Sequence, residues 1–156
     1  MRLLLDSNVL SRLCHPAKAE NVDLGAWLAG LLAREADQVQ VYVPEISDYE
    51  VRRGLLHVAL RSRVPTTRSL KRLDQLTELL SYLPLHTPVL RRAAELWAQS
   101  RSTGLPTAPA ETLDGDVILA AQALDVGGIV VTENTRHLRR FVPAFRWQEV
   151  PTESAS

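Results

Sequence analysis

Cysteine is nearly missing from this chain of 156 residues: Cys14 stands alone, so no disulfide can close within the chain. The four histidines, at 15, 57, 86 and 137, are scattered, and no Cys/His spacing suits a structural zinc site. Long apolar runs are also lacking. Leu3 to Leu5 is far too short for a signal peptide or a membrane span, so the expectation is a soluble cytoplasmic protein without membrane association. Neither a repeat, a low-complexity tract nor an interdomain linker interrupts the chain. One domain over residues 1–150 is expected, followed by a flexible tail over 151–156. With 46% hydrophobic residues, a chain of this length can bury roughly two-thirds of the surface it would expose unfolded.

Excess charge of either sign is absent as well. Eighteen basic and eighteen acidic residues cancel to zero, which at first argues against a nucleic-acid partner. By position the balance breaks into patches. Residues 1–50 hold eight acids against four bases, whereas residues 51–72 hold seven bases and no acid, and residues 134–146 add four arginines, again without an acid. The plain alternative, that these are only solvated helix faces, weighs about as heavily on sequence alone.

The pattern along the chain alternates. Residues 2–5 (RLLL) read as a buried strand that stops at Asp6-Ser7-Asn8, and 9–14 as a short helix. Leucine and tryptophan spacings predict an amphipathic helix over 22–37, and 39–43 reads as a second strand closed by Pro44. A helix over 46–60 follows, where Ser47 and Glu50 fit a capping box. Leucines at spacings of three and four predict another helix over 68–83. Beyond it are expected a short strand at 85–87, a helix over 88–102 opened by Pro88, and a loop over 104–110. Asp114-Gly115-Asp116 would open a helix of small residues ending near Gly127-Gly128. A strand at 129–131, a short basic helix and an edge strand at 147–150 complete the chain. Such alternation predicts an α/β fold of three layers, α/β/α, with a central, mostly parallel sheet of four to five strands.

In sheets of this kind ligands bind outside the carboxyl ends of the strands. Asp6, Glu50, Asp114, Asp116 and the segment Thr132-Glu133-Asn134 are all expected at that edge. Converging carboxylates repel one another and bind protons more tightly unless a cation lies between them. All-oxygen donors suit Mg²⁺, with Mn²⁺ as the alternative. Such ions can activate water for attack on a phosphodiester.

Four segments, LLLDSNVL, VPEISDYEVRRG, DGDVILAAQAL and IVVTENTRHL, now make the chain identifiable. Across roughly residues 1–145 it resembles PIN-domain ribonucleases, most closely the VapC-type toxins of bacterial and archaeal toxin–antitoxin pairs. The resemblance matches Asp6 to the Asp that ends the first strand, Glu50 (with Gly54 after it) to the second acid, and Asp116, before Leu119-Ala120-Ala121, to the third. It implies that Asp6, Glu50 and Asp116 hold the metal. At the fourth acidic position the family usually has T-x-[DN], often with an Asp three residues on; here Asn134 and His137 stand there, with Glu133 or Asp114 able to restore the charge.

Each residue also has a structural reading. Asp6 can be a turn residue, Glu50 the capping partner of Ser47, with Asp48 its nearest rival, and Asp116 a residue favoured by a helix dipole. Asp114 can be a cap. Ser7 and Asn8 fit the role of fixing the loop around Asp6, while Asn134 and Thr132 are candidates to line the site. His137 reads as a surface helix residue and Cys14 as a small buried hydrophobe.

The resemblance implies a Mg²⁺- or Mn²⁺-dependent endoribonuclease, an RNA substrate, a cognate antitoxin and a homodimer. Arg52, Arg53, Arg136 and Arg139 are candidates to hold the RNA backbone, and leucine-rich helices 22–37 and 68–83 are candidate packing faces. Two alternatives stand beside it. One is a non-catalytic PIN domain that binds RNA or a protein. The other is a haloacid-dehalogenase-like phosphatase, which would need a second Asp where Asn8 stands.

Overall fold

Leu3, Leu4 and Leu5 are completely buried, and a strand without an exposed face belongs at the middle of a sheet. The computed structural model describes residues 1–103 and 110–151, the side chains at 110 and 111 excepted. In it β1 (Arg2–Leu5) is the central strand of five. The others are β2 (Gln40–Pro44), β3 (Ser81–Leu83), β4 (Ile129–Val131) and β5 (Ala144–Phe145), in the order β3-β2-β1-β4-β5. All four pairings are parallel, as the helical crossovers between successive strands require. The helices are α1 (Ser7–Leu13), α2 (Val22–Leu32), α3 (Glu45–Ser62), α4 (Thr67–Leu79), α5 (Thr87–Ser102), α6 (Ala110–Val126) and α7 (Thr135–Leu138).

Strand side chains alternate between faces, and the core divides accordingly. Leu3, Leu5, Val41, Val43 and Val131 face one cluster with Leu10, Leu24, Leu28, Leu55, Leu73 and Leu76 of α1 to α4. Leu4, Val130 and Ala144 face another with residues of α5 and α6, among them Val89, Leu96, Val117 and Leu119. The expected three layers are present. Leu24, Leu28 and Leu31 of α2, with Leu73 and Leu76 of α4, serve the chain's own core, whereas Leu32 and Leu79 remain exposed.

Several boundaries differ from expectation. Helix α3 starts at Glu45 after Pro44, which has extended backbone and no side chain to cap with, and Ser47 is fully buried with its Oγ unpartnered. No capping box forms, so the Glu50 carboxylate is not tied to the helix end. The third strand lies at Ser81–Leu83 rather than 85–87, and residues 147–149 form a 3-10 turn rather than the edge strand, which is Ala144–Phe145. Helix α2 stops at Leu32. Helix α6 begins at Ala110, so Asp114 and Asp116 do not open it but stand a turn or more inside. It closes on Gly127, whose φ of +63 suits glycine, with the Gly128 N–H donating to the Ala123 carbonyl at 2.9 Å. The loop expected over 104–110 and the tail over 151–156 lie outside the described residues, apart from residues 110 and 151.

Because the chain proceeds from β1 to β2 and β3 on one side but places β4 and β5 on the other, the order reverses between β1 and β4. The carboxyl ends of those two strands, at Asp6 and Thr132, therefore border the crevice where such sheets bind ligands.

Candidate active site

Asp6 caps α1. Its Oδ1 accepts the Ser7 N–H at 2.7 Å, its backbone N–H donates to the Val131 carbonyl at 3.0 Å, and its residue surface is only 7% exposed. From β4, the fully buried Thr132 hydroxyl donates to Asp6 Oδ2 at 2.6 Å. The same Thr132 oxygen accepts the Asn134 N–H at 3.0 Å and the Asn8 side-chain amide at 3.4 Å. Asn8 Oδ1 in turn accepts the Glu133 N–H at 3.2 Å. Ser7, Asn8 and Thr132 thus fix the carboxylate and the loop after β4, Thr132 from within the core and Ser7 and Asn8 from the edge of the solvent-filled space beside it.

That space is a cleft of about 400 Å³ lined by Asp6, Ser7, Asn8, Glu50, Arg53, Thr112, Asp116, Asn134 and His137. Glu50 enters from α3 and Asp116 from α6. Gly115 decides how close they stand: a Cβ there would lie 3.0 Å from Glu50 Oε1, so the missing side chain leaves room for the carboxylate.

The three carboxyls all hold their protons more tightly than usual. Burial raises Asp6 despite the hydrogen bonds from Thr132 and Ser7. Burial and then the charge of Asp6 raise Glu50, with Arg53 opposing at 3.7 Å. Asp116 is pushed from 3.8 up to about 7, first by burial and then by Asp6 and Glu50, with Arg140 opposing. Mutual repulsion of this kind is what a cation relieves. Oxygen donors without sulfur suit a hard divalent ion. Among the described residues, however, no three acidic, histidine or cysteine side chains are near enough together to hold an ion as they stand. The fit is therefore one of donor chemistry and charge, not of a closed cage of ligands.

Other candidates are distributed differently. Asp114 is exposed and lines a separate groove with Leu90, Trp97 and Val117. Glu133 forms an ion pair with Arg12 at 2.7 Å, so its charge is neutralised outside the cleft. Neither supplies a fourth cleft carboxylate. Arg52 is held by Asp48 at 3.0 Å and Asp74 at 2.8 Å, and Asp48 also accepts the Tyr82 hydroxyl. Arg139 donates to the Ala144 carbonyl and lies 3.6 Å from Glu149. Arg136 is exposed and outside the cleft lining, whereas Arg53 is part of it. His137, expected on the surface, is in the cleft wall. Arg140 was not singled out from sequence. Its link to Asp116 spans twenty-four residues, and only its place in the basic stretch 134–146 hinted at a role. Cys14 is buried, as expected of a small hydrophobe, and burial pushes its thiol up to about 11.

A family model described as the PIN domain matches residues 3–142. No curated protein matches the chain. Among solved structures, that of VapBC2 from Rickettsia felis, bound to a DNA fragment from the promoter, is similar with a TM-score of 0.69 and 16% identity, covering 94% of this chain and 99% of that one. VapBC-1 from nontypeable Haemophilus influenzae is similar with a TM-score of 0.69 and 16% identity, over 96% and 100% of the two chains. FitAcB from Neisseria gonorrhoeae gives 0.66 and 22%, over 95% and 99%. At these identities the likeness is one of fold.

Proposed function

The chain belongs to the PIN-domain family, and from that premise we propose that it is a divalent-metal-dependent endoribonuclease, the toxin of a type II toxin–antitoxin pair. The observation that carries this reading is the meeting of Asp6, Glu50 and Asp116 in one cleft at the strand-order reversal, each with its pKa raised. The partner reading is supported by the fold neighbours, which are VapBC and FitAB complexes. No helix among the described residues is long and apolar enough to cross a membrane.

Asp6, Glu50 and Asp116 are the residues that would hold Mg²⁺ or Mn²⁺. Bound there, the ion would supply a water of lowered pKa and offset negative charge on the phosphate oxygens. The remaining work falls to side chains. Thr132 and Ser7 hold Asp6 in one orientation, so its charge is presented to the cleft without rotamer search. Arg53, in the cleft wall, offers a cation to the phosphate that enters beside Glu50. Asn134 and His137 also line the cleft and add no negative charge, which lowers the repulsion an incoming RNA backbone meets. Hydrolysis then breaks one phosphorus–oxygen bond as water oxygen bonds to phosphorus, with the water proton passing to solvent or a cleft carboxylate and a second proton to the leaving oxygen.

The test is expression in a bacterial host. The wild type is expected to arrest growth, and Asp6→Asn, Glu50→Gln and Asp116→Asn each to abolish arrest while accumulating as folded protein. A second reading, a PIN domain that binds RNA or a protein without cleaving it, is favoured by the lack, among the described residues, of a closed three-ligand group. Arrest that survives all three substitutions would support it against the catalytic reading.

A further inference from the structure

The seven bases between residues 51 and 72 do not form one patch. Arg52 is neutralised by Asp48 and Asp74, and Arg53 faces the cleft. Arg68, Lys71 and Arg72, from the first turns of α4, instead meet Lys18, from the segment after α1. Together with Pro16 and Ala17 they line a groove of about 450 Å³. No acidic residue lines it, and among the described residues none of these four cations takes part in an ion pair. Arg72 Nε is buried without a hydrogen-bond partner, an unmet donor of the kind that folded proteins rarely leave without reason.

We infer that this groove receives a backbone phosphate of the RNA strand whose scissile bond lies in the cleft; the inference rests on the ribonuclease reading. Helix α1 connects the two places. Asp6 caps its beginning in the cleft and Cys14 its end in the groove wall, about 12 Å apart at 1.5 Å per residue. An acidic cleft repels a polyanion, so the affinity for the strand has to come from cations outside it, and these four gather in one groove with no acid to compensate them. Guanidinium and ammonium groups around a partly apolar floor suit a phosphate with its sugar or base laid against Pro16 and Ala17.

The test uses Asp6→Asn protein, which binds without cutting, with and without the exposed pair of changes Arg68→Glu and Lys71→Glu. Binding of a fluorescent single-stranded RNA of about 12 nucleotides is followed by anisotropy between about 50 and 200 mM salt, each preparation first checked for an unchanged circular dichroism spectrum. Each lost phosphate contact lowers the slope of log K against log salt by about 0.7 on single strands, so loss of the one groove phosphate should reduce it by about 0.7. Equal slopes and affinities overturn the groove assignment and leave the ribonuclease reading standing. Absence of RNA binding by either protein overturns both. If the groove changes abolish binding of poly-glutamate but leave RNA binding intact, the groove belongs to an acidic protein partner and the inference fails.

Discussion

Replacing Asp116 by Asn should make the metal-free protein more stable, and the gain should depend on pH. The Asp116 carboxyl sits at about 7 in the folded chain against 3.8 when free of its neighbours. Between those values the unfolded chain has released the proton and the folded chain keeps it, so stability falls as pH rises through that window. Above pH 7 the full penalty applies; below pH 4 both states are protonated and no penalty remains. The difference corresponds to about 4 kcal/mol if nothing screened it, but the residue is only partly buried, and solvent in the open cleft reduces the effect to about 1–2 kcal/mol. Asn keeps the shape and loses the charge. Urea unfolding in EDTA, followed by tryptophan fluorescence, checks this; Trp27 and Trp147 pack with ring centroids 6.0 Å apart and should report loss of the core. The variant should equal the wild type near pH 4 and exceed it by about 1–2 kcal/mol at pH 8. Adding Mn²⁺ at ten times its dissociation constant should restore about 1.4 kcal/mol to the wild type and much less to the variant. A gap that is flat with pH, or a variant that gains as much from the metal as the wild type, would refute the charge argument.

Further outcomes follow from single contacts. Gly115→Ala should raise metal-free stability by about 0.5–1 kcal/mol, as Ala replaces Gly inside α6, while weakening Mn²⁺ binding in titration calorimetry, because the new Cβ displaces the Glu50 carboxylate; a more stable protein with unchanged affinity would contradict the positioning. Thr132→Val should cost about 1–3 kcal/mol in urea unfolding by depriving a buried carboxylate of its 2.6 Å hydrogen bond, and Thr132→Ser should recover most of it. Glu133→Gln should leave metal affinity unchanged, since Arg12 already neutralises that carboxylate outside the cleft; a large loss in calorimetry would bring Glu133 back into the site. Arg63 closes α3 at a φ of 53, so Arg63→Gly should stabilise the chain by about 0.5–1 kcal/mol in the same unfolding assay.

What could be read from sequence follows from how local each signal is. The run Leu3 to Leu5 ending in Asp6 carries both a buried strand and its polar terminus, and the alternation Val41, Tyr42, Val43 gives the two faces of the sheet. The matched motifs likewise pointed to Asp6, Glu50 and Asp116, which do share a cleft. Misplacements arose where one pattern imitates another. Leu80 and Leu83 extend the leucine spacing of α4, so the strand Ser81–Leu83 looked helical; three residues are too few to show alternation. Ser47 and Glu50 have capping-box spacing, but the helix begins two residues earlier and buries Ser47. Asp114 and Asp116 look like a helix start because acids are favoured there, yet α6 already begins at Ala110. Pairings that join distant segments, such as Arg12 with Glu133 or Arg140 with Asp116, leave no trace in spacing at all.

The central claim is that the three carboxylates of the cleft direct metal-dependent cleavage of RNA. It is tested most directly by incubating purified protein, free of any partner, with total bacterial RNA in Mg²⁺ or Mn²⁺ and mapping new RNA ends, alongside EDTA controls and the Asp6→Asn, Glu50→Gln and Asp116→Asn proteins. Discrete ends that require the ion and vanish in all three variants are the predicted result. Cleavage that persists in EDTA, or in folded protein lacking any of the three carboxylates, would contradict it.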